Sequence, residues 1–157
     1  MNKFSVSELI IGKFEPPTLA HIRIIQQMIN PIVVVVHTKV SRQKPFSKEI
    51  IAKLFSEYEI YPHFIETGYI VDILDILKIT PEYLVCGTDR FKHYQDIICK
   101  NKLSLQLREV NRLDSDISAT KVRYSLMSND EFLFRKLMPY KFWPYFVELR
   151  QICQNLK

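Results

Sequence analysis

The stretch IIGKFEPPTLAHIRIIQQM, Ile10–Met28, passes from an apolar run through a turn into a helical pattern. Ile10 and Ile11 close a strand-like segment. Gly12, Pro16 and Pro17 punctuate the connection, and apolar residues then recur at Leu19, Ile22, Ile25, Met28 and Ile29, the spacing of one helix face. A plain connector needs turn residues, yet this one also places Thr18 and His21 where the helix opens. The two are three positions apart, so both side chains can face one spot beside the unpaired N–H groups and positive dipole end of a helix, which favour an anion. Taken alone, the pair fits a capping threonine with a solvent-exposed histidine about as well, because threonine is a common N-cap.

Outward from this unit the pattern alternates. Strands are expected at Phe4–Ile11, Ile32–Val36, Tyr61–Thr67, Tyr83–Cys86 and Leu103–Val110. Ile32–Val36 is a continuous β-branched run, suited to a strand covered on both faces. Helices are expected at Leu19–Ile29, after a Ser47 cap, at Tyr69–Leu77, at Phe91–Lys100 and from Ser118. A mostly helical region follows at Glu131–Cys153, broken at Pro139 and Pro144. Strand and helix in turn through five strands imply an α/β fold, a Rossmann-like doubly wound five-stranded parallel sheet with C-terminal helices. The expectation for domains is a single unit over residues 1–157, with a helical extension from about 131 to 157.

Such a sheet binds ligands at the carboxyl ends of its strands. Four chemically loaded segments follow strands here: Gly12–His21, His37–Ser47, Gly87–Arg90 and the segment leading into Ser118. Asp89 suits ribose hydroxyls and Arg90 a phosphate, although an Asp-Arg pair capping the next helix accounts for Arg90 about as well. Lys39, Arg42 and Lys44 crowd the second segment, and Lys44 is the first choice for a phosphate contact. Ser118 and Thr120 place hydroxyls at a helix start, with Arg123 able to clamp a phosphate through two N–H groups, although the segment alone reads more readily as a capped helix with an exposed basic face. His37, His63 and His93 have no motif around them and read as structural or exposed. The aromatic run from Tyr140 to Phe146 reads as core or subunit interface.

Composition sets bounds. The 47% hydrophobic fraction suits a folded globule, and the net charge of +5 is a modest excess that suits an anionic small molecule, nucleic acid or simple solubility. Cys86, Cys99 and Cys153 form no CxxC or Cys/His cluster, so reduced thiols are expected and no metal site or disulfide framework. No apolar run reaches membrane-span length or forms a signal peptide. The expected location is cytoplasmic, with no membrane partner.

The segment GKFEPPTLAH resembles the signature G-x-F-x-P-x-(H/T)-x-x-H of the nucleotidylyltransferase superfamily. Gly12, Phe14, Pro16, Thr18 and His21 fall on the pattern, with Ala20 where the family usually has glycine. ISATKVR, Ile117–Arg123, resembles the family's ISSTxxR signature with Ala119 replacing the second serine. LVCGTDR, Leu84–Arg90, resembles its G(S/T)DR stretch. The loop ending Lys44-Pro45-Phe46-Ser47 resembles its (K/N)PF(T/S) segment, though the following Lys48-Glu49-Ile50 lacks a frequent arginine. The PPT form of the first motif is similar to phage-encoded nicotinamide-nucleotide adenylyltransferases, which implies a host cytoplasm if this chain is phage-encoded.

The resemblance implies attack of an acceptor phosphate on the α-phosphate of ATP with release of pyrophosphate. It implies catalytic roles for His21, Thr18, Lys44 and Arg123. Nucleotide contacts would come from Gly12, Lys13, Phe14, Gly87, Asp89, Arg90, Ser118, Thr120 and Arg123. Mg²⁺ would enter on the ATP phosphates. The leading acceptor is nicotinamide mononucleotide, giving NAD. A phosphopantetheine adenylyltransferase is the first alternative, since that group also uses threonine in the first motif. Cytidylyltransferases usually carry histidine at the Thr18 position. A non-catalytic nucleotide- or RNA-binding module is the alternative of another class. The intact Thr18, His21 and Arg123 argue against lost catalysis, and the lack of a basic stripe interleaved with aromatics argues against nucleic acid. A homo-oligomer stays open.

Overall fold

The computed structural model describes residues 6–110 and 117–156. The elements run β1 (Glu8–Gly12), α1 (Leu19–Gln26), β2 (Pro31–Val36), α2 (Lys48–Ser56), β3 (His63–Ile65), α3 (Ile70–Leu77), β4 (Tyr83–Gly87) and α4 (Thr88–Lys100). Then come β5 (Gln106–Val110), α5 (Ala119–Met127), α6 (Glu131–Leu137), a 3-10 turn (Tyr140–Tyr145) and α7 (Phe146–Asn155). The strands form one parallel sheet in the order β3-β2-β1-β4-β5. The α/β doubly wound architecture with C-terminal helices therefore stands as the sequence indicates. None of the described helices is long and apolar enough to cross a membrane.

Boundaries differ where tertiary contacts decide them. The third strand shrinks to His63–Ile65, because it pairs only with β2 (Val34 to His63 through Val36 to Ile65) and follows Pro62. The segment Gly87–Arg90 is not a loop. Gly87 is the N-cap of α4, so Thr88, Asp89 and Arg90 form its first turn, where Asp89 complements the helix dipole. Pro139 separates α6 from the 3-10 turn, whereas Pro144 sits inside that turn. The expected strand residues Phe4 and Ser5, and part of the segment before Ser118, lie outside the described residues.

Alternation along the strands builds two cores. Ile10, Val33, Val35 and Val85 pack under α1, α2 and α5–α7, with Phe55, Phe134 and Phe142 fully buried. Leu9, Val34, Leu84 and Cys86 face the other way, against Ile70 and Ile73 of α3 and Tyr94 of α4. The C-terminal aromatics split: Phe142 and Phe146 enter the first core, while Tyr140 stays exposed. The indole Nε1–H of Trp143 donates to the carbonyls of Arg135 (3.1 Å) and Met138 (3.0 Å).

The glycines are not equivalent. A Cβ on Gly12 would stand 3.1 Å from Cε2 and Cζ of Phe14, whose ring is held edge-on by Phe55 at 5.2 Å. A Cβ on Gly68 would meet the Val36 methyls at 3.8 and 3.9 Å, ordinary contact. Gly12→Ala should therefore overpack the loop and cost about 1–3 kcal/mol, a fall in Tm of roughly 2–12 °C. Gly68→Ala should stay within about 0.5 kcal/mol of the parent. Parallel thermal melts decide this, and equal Tm values for the two variants would refute the packing role of Gly12.

Candidate active site

The loop after β1 ends in a reciprocal cap. Thr18 is the N-cap of α1, with its side chain accepting from the His21 N–H. The Thr18 N–H donates to His21 Nδ1 at 3.0 Å. Because Nδ1 acts as acceptor, the neutral imidazole carries its proton on Nε2, so the cap selects a tautomer with a donor at the far ring nitrogen. Phe14, at φ 52°, packs its ring edge-on to that imidazole at 4.8 Å. Thr18 is only 1% exposed. Its hydroxyl lies beneath His21 and reaches Nδ1 at 3.2 Å, so the structure places it as a support for the imidazole.

Two cavities open at the carboxyl edge of the sheet and meet at Lys13, Phe14, His21 and Ile24. The first, about 310 Å³, sits where the winding reverses between β1 and β4. Gly12, Gly68 and Gly87, all the glycines of the chain, line it together with Asp89, Arg90, Cys86 and Tyr94. The Arg90 guanidinium lies 5.6 Å from the Tyr94 ring centroid. Burial pushes the Cys86 thiol up, with Glu109 and Asp89 adding to it.

The second cavity, about 640 Å³, is cationic. Lys13, Lys44 and Arg123 line it with Ser118 and Thr120 at the start of α5. Ser118 caps that helix by accepting from the Lys121 N–H at 3.2 Å. Arg123 ties two motifs together: one guanidinium N–H donates to the Glu15 carbonyl, and another reaches Thr120 Oγ1 at 3.3 Å. Lys44 Nζ approaches Thr38 Oγ1 at 3.5 Å. Lys39 and Arg42 are exposed and line neither cavity.

All the site residues singled out in the sequence line one cavity or the other, except Thr18. Gly87 has φ −80° and ψ 169°, a conformation open to any residue, so the backbone itself does not require glycine there. Sequence reasoning missed Glu15, which lines the second cavity, and His37, buried behind it. Glu15 Oε2 accepts from the Phe46 N–H at 3.0 Å, and the Phe46 carbonyl lies 2.9 Å from His37 Nε2. Burial pushes the Glu15 carboxyl up, opposed by the Phe46 N–H and then by His37, Arg123 and Lys44. No local pattern announces these contacts, since Glu15 and Phe46 are 31 residues apart.

The sequence of residues 9–125 matches the cytidylyltransferase-like family. The chain belongs to that family. The match begins in β1 and ends in α5, so it takes in both cavities and leaves α6 and α7 outside. No curated protein sequence matches the chain. In fold it is similar to the crystal structure of TmcAL from Thermotoga maritima bound with alpha-thio ATP. The TM-score is 0.67 at 10% identity, over 91% of this chain and 55% of that one. At that identity the likeness concerns the fold alone, and this chain spans about half the length of its neighbour.

In this member of the cytidylyltransferase-like family, Arg123 stands beside the start of α5 in the wall of the cationic cavity. Arg123→Ala should weaken pyrophosphate binding by roughly 10–100-fold, the worth of a charge-assisted hydrogen bond. Isothermal calorimetry reads this directly, and an unchanged affinity would reduce Arg123 to a strut between two loops.

Proposed function

We propose that the chain is an adenylyltransferase that joins AMP from ATP to a phosphate-bearing acceptor, with nicotinamide mononucleotide as acceptor and NAD as product. One observation carries this reading: a largely apolar cavity and a cationic cavity meet at His21, the arrangement needed to hold an organic body, a reacting phosphate and a leaving pyrophosphate in line. Membership of the cytidylyltransferase-like family supports nucleotidyl transfer.

In this reading an oxygen of the acceptor phosphate attacks the α-phosphorus, and the bond to the β-phosphate oxygen breaks, its electron pair leaving with pyrophosphate. Such transfer rests on position and charge neutralisation rather than on a covalent protein intermediate. His21 donates from Nε2 to the oxygens that gain charge, and Thr18 holds the ring in the donating tautomer. Lys44 faces the reacting phosphates, while Ser118, Thr120, Arg123 and the α5 N-terminus receive the leaving pyrophosphate. Lys13 stands at the junction of the cavities. Asp89 accepts from ribose hydroxyls and Arg90 closes the rim of the first cavity. Mg²⁺ carried on the triphosphate would neutralise part of its charge. Phosphate oxygens are its natural ligands.

The description of the matching family favours a second reading, in which CTP replaces ATP. Pyrophosphate release from ATP or CTP, each with nicotinamide mononucleotide or phosphopantetheine, separates the possibilities. We expect the ATP and nicotinamide mononucleotide pair to be fastest. Release with CTP alone would install the second reading, and release with ATP and phosphopantetheine alone would change the acceptor. In the active pair, His21→Ala should lower kcat by roughly 10²–10³ while ATP affinity changes little, as for loss of a preorganised donor. Near-normal kcat in folded His21→Ala protein would remove His21 from the mechanism.

A further inference from the structure

Glu15 sits at a position that the motif pattern leaves open, yet it holds both walls of the cationic cavity. Its carbonyl accepts from Arg123, which belongs to α5. Its carboxylate accepts from the N–H of Phe46, a residue with no exposed surface. The other polar group of Phe46, its carbonyl, can only accept, so His37 Nε2 must donate to it. Both main-chain groups of one buried residue are thus gripped by side chains that are themselves 5% and 6% exposed.

The grip is passed to Lys44 by a short, stiff path. Pro45, with its fixed φ, joins Phe46 to Lys44. Lys44 is locked in a closed turn with Ser41: Ser41 N–H donates to the Lys44 carbonyl at 2.9 Å, and Lys44 N–H returns to the Ser41 carbonyl at 3.1 Å. On the carboxyl side of the turn, Ser47 caps α2 by accepting from the Ile50 N–H.

We propose that Glu15 is a positioning residue that sets Lys44 against Arg123 across the phosphate cavity, acting through the main chain of Phe46. Deepening the reading given above, this rests on the cationic cavity being the phosphate site. The carboxylate does not meet substrate. It fixes how far apart the two cations stand, and so which phosphate spacing they match.

The test uses the full chain and two readouts that need no turnover: hydrogen exchange of the Phe46 amide and calorimetric affinity for inorganic pyrophosphate. Glu15→Ala should expose the Phe46 amide and weaken pyrophosphate binding roughly tenfold, comparable to Lys44→Ala. In the Lys44→Ala background the same change should cost little more, because residues that act through one another are non-additive. Glu15→Gln should restore both readouts, since its amide oxygen can still accept from Phe46. If Glu15→Ala does not fold, Glu15→Met, which fills the space without an acceptor, is compared with Glu15→Gln. Unchanged Phe46 exchange, fully additive losses, or no pyrophosphate binding by the parent would each overturn the proposal. Pyrophosphate binding without nucleotidyl transfer from any substrate pair would instead refute the adenylyltransferase reading and leave the Glu15 result standing on exchange and affinity.

Discussion

Strand β1 is the constraint on which the molecule depends. It hydrogen-bonds to β2 on one edge, from Glu8–Pro31 to Gly12–Val35, and to β4 on the other, from Glu8–Tyr83 to Ile10–Val85. The chain winds outward from β1 in both directions, so the connections after β1 and after β4 leave the sheet in opposite senses and a crevice opens between them. Register at this strand is tightly specified. Leu9 belongs to one core and Ile10 to the other, so a slip by one residue would exchange every side chain between the two faces. The same register delivers Gly12 to the cavity floor, followed two residues on by Phe14 in its left-handed conformation.

How much of this was legible follows from the range of the signals. The β-branched run Ile32–Val36 and the helix after the Ser47 cap are local patterns, and the structure keeps both. The convergence of four loaded segments followed from strand polarity alone, and it gathers Lys44, Asp89, Ser118 and Arg123 around His21. The cap at Thr18 was half visible. A capping box normally ends in Glu or Gln, and a histidine in that place conceals the reciprocal bond to the Thr18 N–H. Glu15, His37 and Gly68 were not legible as site components. Their contacts are made among the loops that follow β1, β2 and β3, which neither periodicity nor motif spacing describes.

The electrostatics of the second cavity are arranged before any ligand arrives. Lys44 and Arg123 would repel one another across an otherwise cationic space. A buried carboxylate behind them lowers that repulsion, and burial in turn disfavours its charge, a tension visible in the raised Glu15 carboxyl. Arg123 already spends one donor on the Glu15 carbonyl and another on Thr120, so its guanidinium is oriented rather than free to sample solvent. Oriented charges of this kind lose little freedom when an anion binds.

The contact between Arg123 and Glu15 joins residues 108 positions apart in the chain. Closing so long a span is entropically late, because nearer contacts form first and shorten the path. During synthesis the basic turn and the histidine emerge long before the helix that completes their partner wall. The wall that Arg123 builds therefore cannot close until α5 has been made and packed against the loop after β1. A helical signal in solution reports only that secondary structure has formed, whereas the closed Arg123–Glu15 contact reports that α5 has docked.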